Sequence, residues 1–236
     1  MSFLTGLLGS GRRRLLASAA AALLVAALAM LSLGFSAQHH APQPPASAAL
    51  PVTAGQTPAS TPGSPGNVPA PPAPTVTPTA PAKSTVTPTA ISIPAIGVHH
   101  TLMQLGLNSD GTLEVPPLTE PGIPGWYRGS PAPGQVGPAV IVGHIDGTTG
   151  AEGVFYNLGA LRPGNTVQVT RSDNTVAVFR IDGVDKYSKA DFPTVTVYGN
   201  TPDAQLRLIT CAGPFENQHY QDDIVVYATL TGTHPA

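Results

Sequence analysis

Fourteen of the chain's 27 prolines fall between Ala37 and Ala90, and this tract limits how much of the 236 residues can fold. The tract carries one charged residue, Lys83, and shows no hydrophobic period. Such a segment cannot bury enough apolar surface to offset the entropy of ordering its backbone. Residues 37–90 are therefore expected to form a disordered, semi-rigid stalk, extended at about 3.1 Å per residue where it is polyproline-like. Thr75–Ala80 recurs as Thr85–Ala90, a repeat too short to build a solenoid.

Ahead of the stalk, Arg12-Arg13-Arg14 precedes an uncharged run from Leu15 to Phe35. As a helix these residues would span roughly 31 Å, the thickness of a bilayer's hydrocarbon core. The basic cluster holds its own end on the cytoplasmic side, so everything after the run is exported. Residues 1–36 are expected to be a cytoplasmic stub and single-pass membrane anchor. A cleaved signal peptide is the alternative, because Ser36 and Ala37 are small, but the run exceeds the usual apolar region of such peptides.

One foldable region remains, residues 91–236, long enough for a single core. Short apolar or alternating runs recur between Gly, Pro, Asn and Asp: Ile91–Ile93, Ala139–Val142, Thr166–Thr170, Val176–Ile181, Leu206–Cys211 and Ile224–Leu230. No segment of ten residues shows a 3.6 period, so the pattern predicts an all-β barrel or sandwich. The net charge is −2 and no basic patch lies beyond the N-terminus, which leaves nucleic-acid binding without electrostatic support.

Cys211 is the chain's single cysteine, and an unpaired cysteine in an exported protein calls for an explanation. It ends the run Leu206-Arg207-Leu208-Ile209-Thr210-Cys211. Strand alternation puts Leu206, Leu208 and Thr210 on one face and Arg207, Ile209 and Cys211 on the other. With the leucines toward the core, the thiol stands at the strand's end on the opposite face, before the small residues Ala212-Gly213. A nucleophilic thiol needs a base or an imidazolium beside it. His144 ends the buried run Ala139–Gly143 and is the candidate, whereas His219 lies among polar residues and reads as solvated. Buried structural roles remain open for both Cys211 and His144 on these grounds alone.

Val142-Gly143-His144-Ile145-Asp146 and Leu208-Ile209-Thr210-Cys211-Ala212-Gly213 resemble the two catalytic segments of sortases, the actinobacterial class F group above all. Ile93–Val98, Gly125-Trp126-Tyr127, Pro133-Gly134, Phe192-Pro193-Thr194 and Val225–Ala228 resemble further pieces of the family, in order. The resemblance implies a closed β-barrel of about eight strands with short helices. It implies a cysteine transpeptidase that cleaves a sorting signal of the L-P-x-T-G kind through a thioacyl enzyme. Cys211 would be the nucleophile, and His144 would protonate the leaving amine and deprotonate the incoming one. The partners implied are surface proteins bearing the signal and an amine on a cell-wall precursor or pilin. Thr210, Phe192, Pro193 and Tyr198 are implied as substrate contacts, and no cofactor is implied.

The sequence departs from the family at one point. Sortases carry an arginine on the strand after the cysteine loop, and Gln221 stands there. Three readings are open: Gln221 acts as a neutral donor, another arginine such as Arg207 takes the role, or the protein is a weakened, binding-only relative. Arg207 shares a face with Cys211 but lies roughly 13 Å away along a strand. An L,D-transpeptidase is a rival cysteine enzyme, but Thr210-Cys211-Ala212 disagrees with its Ser-x-Gly-Cys pattern. Asp182, Asp185 and Asp191 match no calcium loop, and His144 and Asp146 fall short of a zinc set, so no metal is expected.

Overall fold

The computed structural model describes residues 41–51 and 86–236. The apolar run expected to be a membrane anchor lies outside these residues, as does most of the expected stalk. No helix among the described residues is long and apolar enough to cross a membrane.

Among the described residues the fold is all-β, as the spacing of turn residues predicts, with nine strands rather than about eight. They are β1 (Pro88–Ile93), β2 (Val98–Thr101), β3 (Met103–Leu105), β4 (Gly125–Tyr127) and β5 (Gly137–Val142). After these come β6 (Thr166–Arg171), β7 (Thr175–Ser188), β8 (Ala204–Glu216) and β9 (His219–Pro235). One short α-helix, α1 (Thr194–Tyr198), lies between β7 and β8. The sheet runs β2-β1-β6-β7-β9-β8-β5-β4-β3. Its two edge strands, β2 and β3, are separated in sequence by Leu102 alone. That single-residue link forces the sheet to curl until its edges meet, giving a nearly closed barrel and leaving little open edge.

Most neighbours are antiparallel, but β5 and β8 pair in parallel, with Val142 opposite Ile209. The faces of these central strands differ. Ala139, Ile141, Leu206, Leu208, Ile224 and Val226 join the barrel interior with Phe155 and Phe179. Val140, Val142, Ile209, Val225 and Tyr227 join a second, outer cluster with Val197 of α1. Strands buried on both faces read as continuous apolar runs, which is the pattern of Ala139–Val142.

β8 and β9 run further than their apolar cores foretell. One extra residue on β8, between the pairs Ala212↔Asp222 and Phe215↔Tyr220, forms a bulge that keeps the ladder going past Cys211. Gly213 makes this possible: its φ is +76°, and a Cβ there would stand 2.3 Å from the Asp222 carboxylate. The hairpin turns on Asn217 and Gln218, both left-handed (φ 49° and 68°), so His219 opens β9 and does not lie in a loop.

Residues 41–51, inside the tract expected to be stalk, pack on the barrel. Ala48 is fully buried, the Leu50 amide donates to Asp185 (3.3 Å), and Leu50 packs against the outer cluster. The expectation of disorder fails here because the local sequence, Ala46–Leu50, is briefly free of proline and small enough to lie close against the sheet.

Candidate active site

The parallel register of β5 and β8 builds the site. Val142 and Ile209 are opposite each other on the outer face, and the Gly143 amide donates to the Ile209 carbonyl (3.1 Å). His144 and Cys211 each lie two residues beyond that pair. Period-two alternation therefore brings them to the same face and the same end of two adjacent strands. Both line one cavity of about 550 Å³, within the usual range for ligand sites. One wall comes from Val115, Pro116 and Leu118 of the β3–β4 connection, and another from Tyr198 of α1 and Phe215 and His219 of the hairpin.

His144 is half-buried and its Nε2 bonds the Pro116 carbonyl. A carbonyl only accepts, so Nε2 carries the proton and Nδ1 is the basic nitrogen of the neutral ring. The loop carrying His144 is closed by Phe155, whose amide donates to the His144 carbonyl (3.0 Å). Gly153 permits that closure, because a Cβ at this position would lie 2.2 Å from the same carbonyl oxygen. Asp146, further along the loop, accepts from the Tyr220 hydroxyl and so ties the loop to the β8–β9 hairpin.

Cys211 faces Asp223 directly across the β8–β9 ladder. Lys189, just past the end of β7, reaches back between them. Its Nζ lies 3.4 Å from the Cys211 Sγ and 3.4 Å from the Asp223 carboxylate. Burial pushes the Cys211 thiol above its ordinary range; Lys189 pulls it back, while Asp223 and Asp146 push the same way as burial. Burial also raises the Asp223 carboxyl, with Lys189 opposing. Burial pulls Lys189 down, but the charges of Cys211 and Asp223 outweigh it and hold the ammonium firmly protonated.

The other residues singled out in the sequence divide. Thr210 lines the cavity, and its buried Oγ1 has no hydrogen-bond partner. Tyr198 lines the cavity as well, whereas Phe192 packs between Tyr187 and Tyr198 (6.1 and 5.9 Å between ring centres) and supports them. Pro193 accepts from the Val197 amide and starts α1. Gln221 turns toward the tip of its own hairpin: its amide donates to the carbonyls of Glu216 (3.2 Å) and His219 (3.1 Å). Arg207 is also committed elsewhere. It is 3% exposed, donates to the Val197 carbonyl and Gln205, and lies 4.6 Å over the Tyr227 ring.

Lys189 and Asp223 were missed in the sequence. The signal available was sparse: Lys186 and Lys189 are the only lysines after residue 90, and both sit at the end of β7 beside β9 acids, Lys186 on Asp222 (3.2 Å). Among the described residues no group of three or more His, Cys, Asp or Glu is placed to hold a metal.

The family model described as Sortase domain matches residues 91–231. A comparison with curated proteins yields no match. Among solved structures, the chain is similar to Listeria monocytogenes sortase A at 20% identity and a TM-score of 0.48, covering 64% of this chain and 90% of that one. It is similar to a Clostridium perfringens sortase D5 transpeptidase at 24% identity and a TM-score of 0.44, covering 62% and 79%. For a variant of sortase E from Streptomyces avermitilis the figures are 22%, 0.44, 63% and 91%.

Proposed function

The chain belongs to the sortase family, and on that footing we propose that it is an extracytoplasmic cysteine transpeptidase, nearest the class F group. The observation that carries this reading is the β5–β8 register, which delivers a histidine and the sole cysteine to one cavity. Cys211 attacks the threonyl carbonyl of an L-P-x-T-G-like signal, and His144 gives the leaving amine its proton. An amine on a cell-wall precursor or pilin then passes its proton to His144 and releases the acyl group. Splitting one amide exchange into two acyl transfers lowers each barrier.

The apolar walls at Val115, Leu118, Tyr198 and Phe215 suit the Leu-Pro part of such a signal. The basic cluster Arg12–Arg14 and the run Leu15–Phe35 support a single-pass anchor with the barrel outside the cell.

The test is to incubate the full-length protein with an L-P-x-T-G peptide and weigh the intact protein. An acyl adduct that disappears in Cys211→Ala is the expected result. Tight peptide binding with no adduct would reduce the protein to a binding module. An adduct formed only with a peptidoglycan tetrapeptide would assign it to L,D-transpeptidase chemistry.

A further inference from the structure

The sequence leaves the cationic role in this site unfilled, since Gln221 stands where the family has arginine. The structure turns Gln221 toward its hairpin tip and Arg207 toward α1. The titratable and charged groups around the thiol come from four sides. His144 and Asp146 lie on the loop after β5, Asp223, Tyr220 and His219 on the β8–β9 hairpin, Tyr198 on α1, and Lys189 after β7. Asp222 lies beyond Asp223 and is taken up by Lys186. Among the described residues lining the cavity, Lys189 is the one lysine or arginine. Its ammonium touches sulfur, at 3.4 Å, and is fixed there by Asp223, the cross-strand partner of Cys211.

We infer that Lys189 is a catalytic residue of this site: its ammonium supplies the positive charge that holds Cys211 as a thiolate. Asp223 positions that ammonium. The reaction it serves rests on the transpeptidase reading above; the charge on sulfur does not. Cys211 first yields its proton to His144, giving a thiolate between an ammonium and an imidazolium. The sulfur electron pair forms the C–S bond while the carbonyl pair moves to oxygen. The pair returns, the C–N bond breaks, and the imidazolium proton goes to the leaving amine. In the second half an acceptor amine attacks the thioester, its proton passes to His144, and the C–S bond breaks to restore the thiolate. Lys189 keeps its proton throughout, stabilising sulfur at the start and again as it leaves.

A plain surface ion pair between Lys189 and Asp223 would do none of this, and exposed pairs contribute little even to stability. The two roles separate in the ionisation of the thiol. Because Cys211 is the sole cysteine, iodoacetamide alkylation of the full-length protein reports on it alone. The rate is measured against pH for the natural protein, Lys189→Met, Lys189→Arg and Gln221→Ala, with circular dichroism confirming the fold of each. Lys189→Met is expected to raise the midpoint by about one unit, a roughly tenfold slower reaction below it. Lys189→Arg is expected to restore the profile, and Gln221→Ala to leave it in place. An unmoved profile in Lys189→Met, or a shifted one in Gln221→Ala, overturns the assignment. Acyl-enzyme formation with the sorting peptide is the second readout. Wild-type acylation by Lys189→Met overturns the catalytic role. A shifted alkylation profile with no acylation in any variant keeps the charge assignment and sinks the transpeptidase reading instead.

Discussion

Cys211 has two neighbours in the sheet, and they bring it different chemistry. On one side β5 runs parallel to β8 and leads to His144, the residue proposed to exchange protons. On the other side β9 runs antiparallel, sets Asp223 opposite the thiol, and through Asp223 holds Lys189, a residue that keeps its charge. The proton-transfer side is built by two strands ending together. The electrostatic side needs a third element, the end of β7, and a bulge at Gly213 that keeps β8 and β9 in register beyond the cysteine. A parallel pair can place two residues by simple counting, whereas a bulged hairpin and a side chain from a turn cannot be counted from sequence.

The largest expected effect lies at His144. Replacing it with Ala removes the imidazole proposed to carry the proton, and acylation by a sorting peptide is expected to fall by about 10³-fold. Single-turnover mass spectrometry checks this; a loss of less than tenfold would mean that another group carries the proton.

Arg207 sharpens the contrast between a cation that serves the thiol and one that serves the fold. Arg207→Met removes charge-assisted hydrogen bonds from a buried guanidinium to the Val197 carbonyl and Gln205, and is expected to cost about 2–3 kcal/mol in urea unfolding. The alkylation profile of Cys211 should stay where it is. Lys189→Met should do the reverse, shifting that profile with little change in the unfolding midpoint.

The smallest expected effect is alkaline. Burial raises Tyr187, Tyr220 and Tyr227 and pushes Tyr198 up to about 12. A folded value above the unfolded one means that the fold favours the neutral phenol. That contribution is whole below the unfolded value near 10.0 and is lost as pH rises toward the folded values. Melting temperature should therefore decline above pH 10, and less so in Tyr187→Phe. An equal decline in both would remove Tyr187 from this account.

What could be read beforehand follows the same division. The alternation of Leu206–Cys211 correctly assigned the two faces of β8, because each face is buried and a one-residue slip would invert both. The Ala139–Gly143 run announced a strand covered on both sides, and so located His144 at its mouth. The family arginine's position led to Gln221, whose side chain the tight Asn217-Gln218 turn draws toward its own carbonyls. Nothing local in Ser188-Lys189-Ala190 marks Lys189, since its partners are 22 and 34 positions away and meet it only through the β7–β9 and β8–β9 ladders. Polarity around His219 suggested a loop, but two consecutive left-handed residues closed the hairpin and made it the first residue of β9.

The acyl transfer proposed for the two sides of β8 passes through one sulfur. Its most direct measurement follows the full-length protein with an L-P-x-T-G peptide by intact mass and peptide mapping, before and after an amine acceptor is added. A thioacyl adduct located on Cys211 that the amine discharges into a new amide product is the expected result. A stable adduct elsewhere, or cleavage that proceeds unchanged in Cys211→Ala, would contradict it.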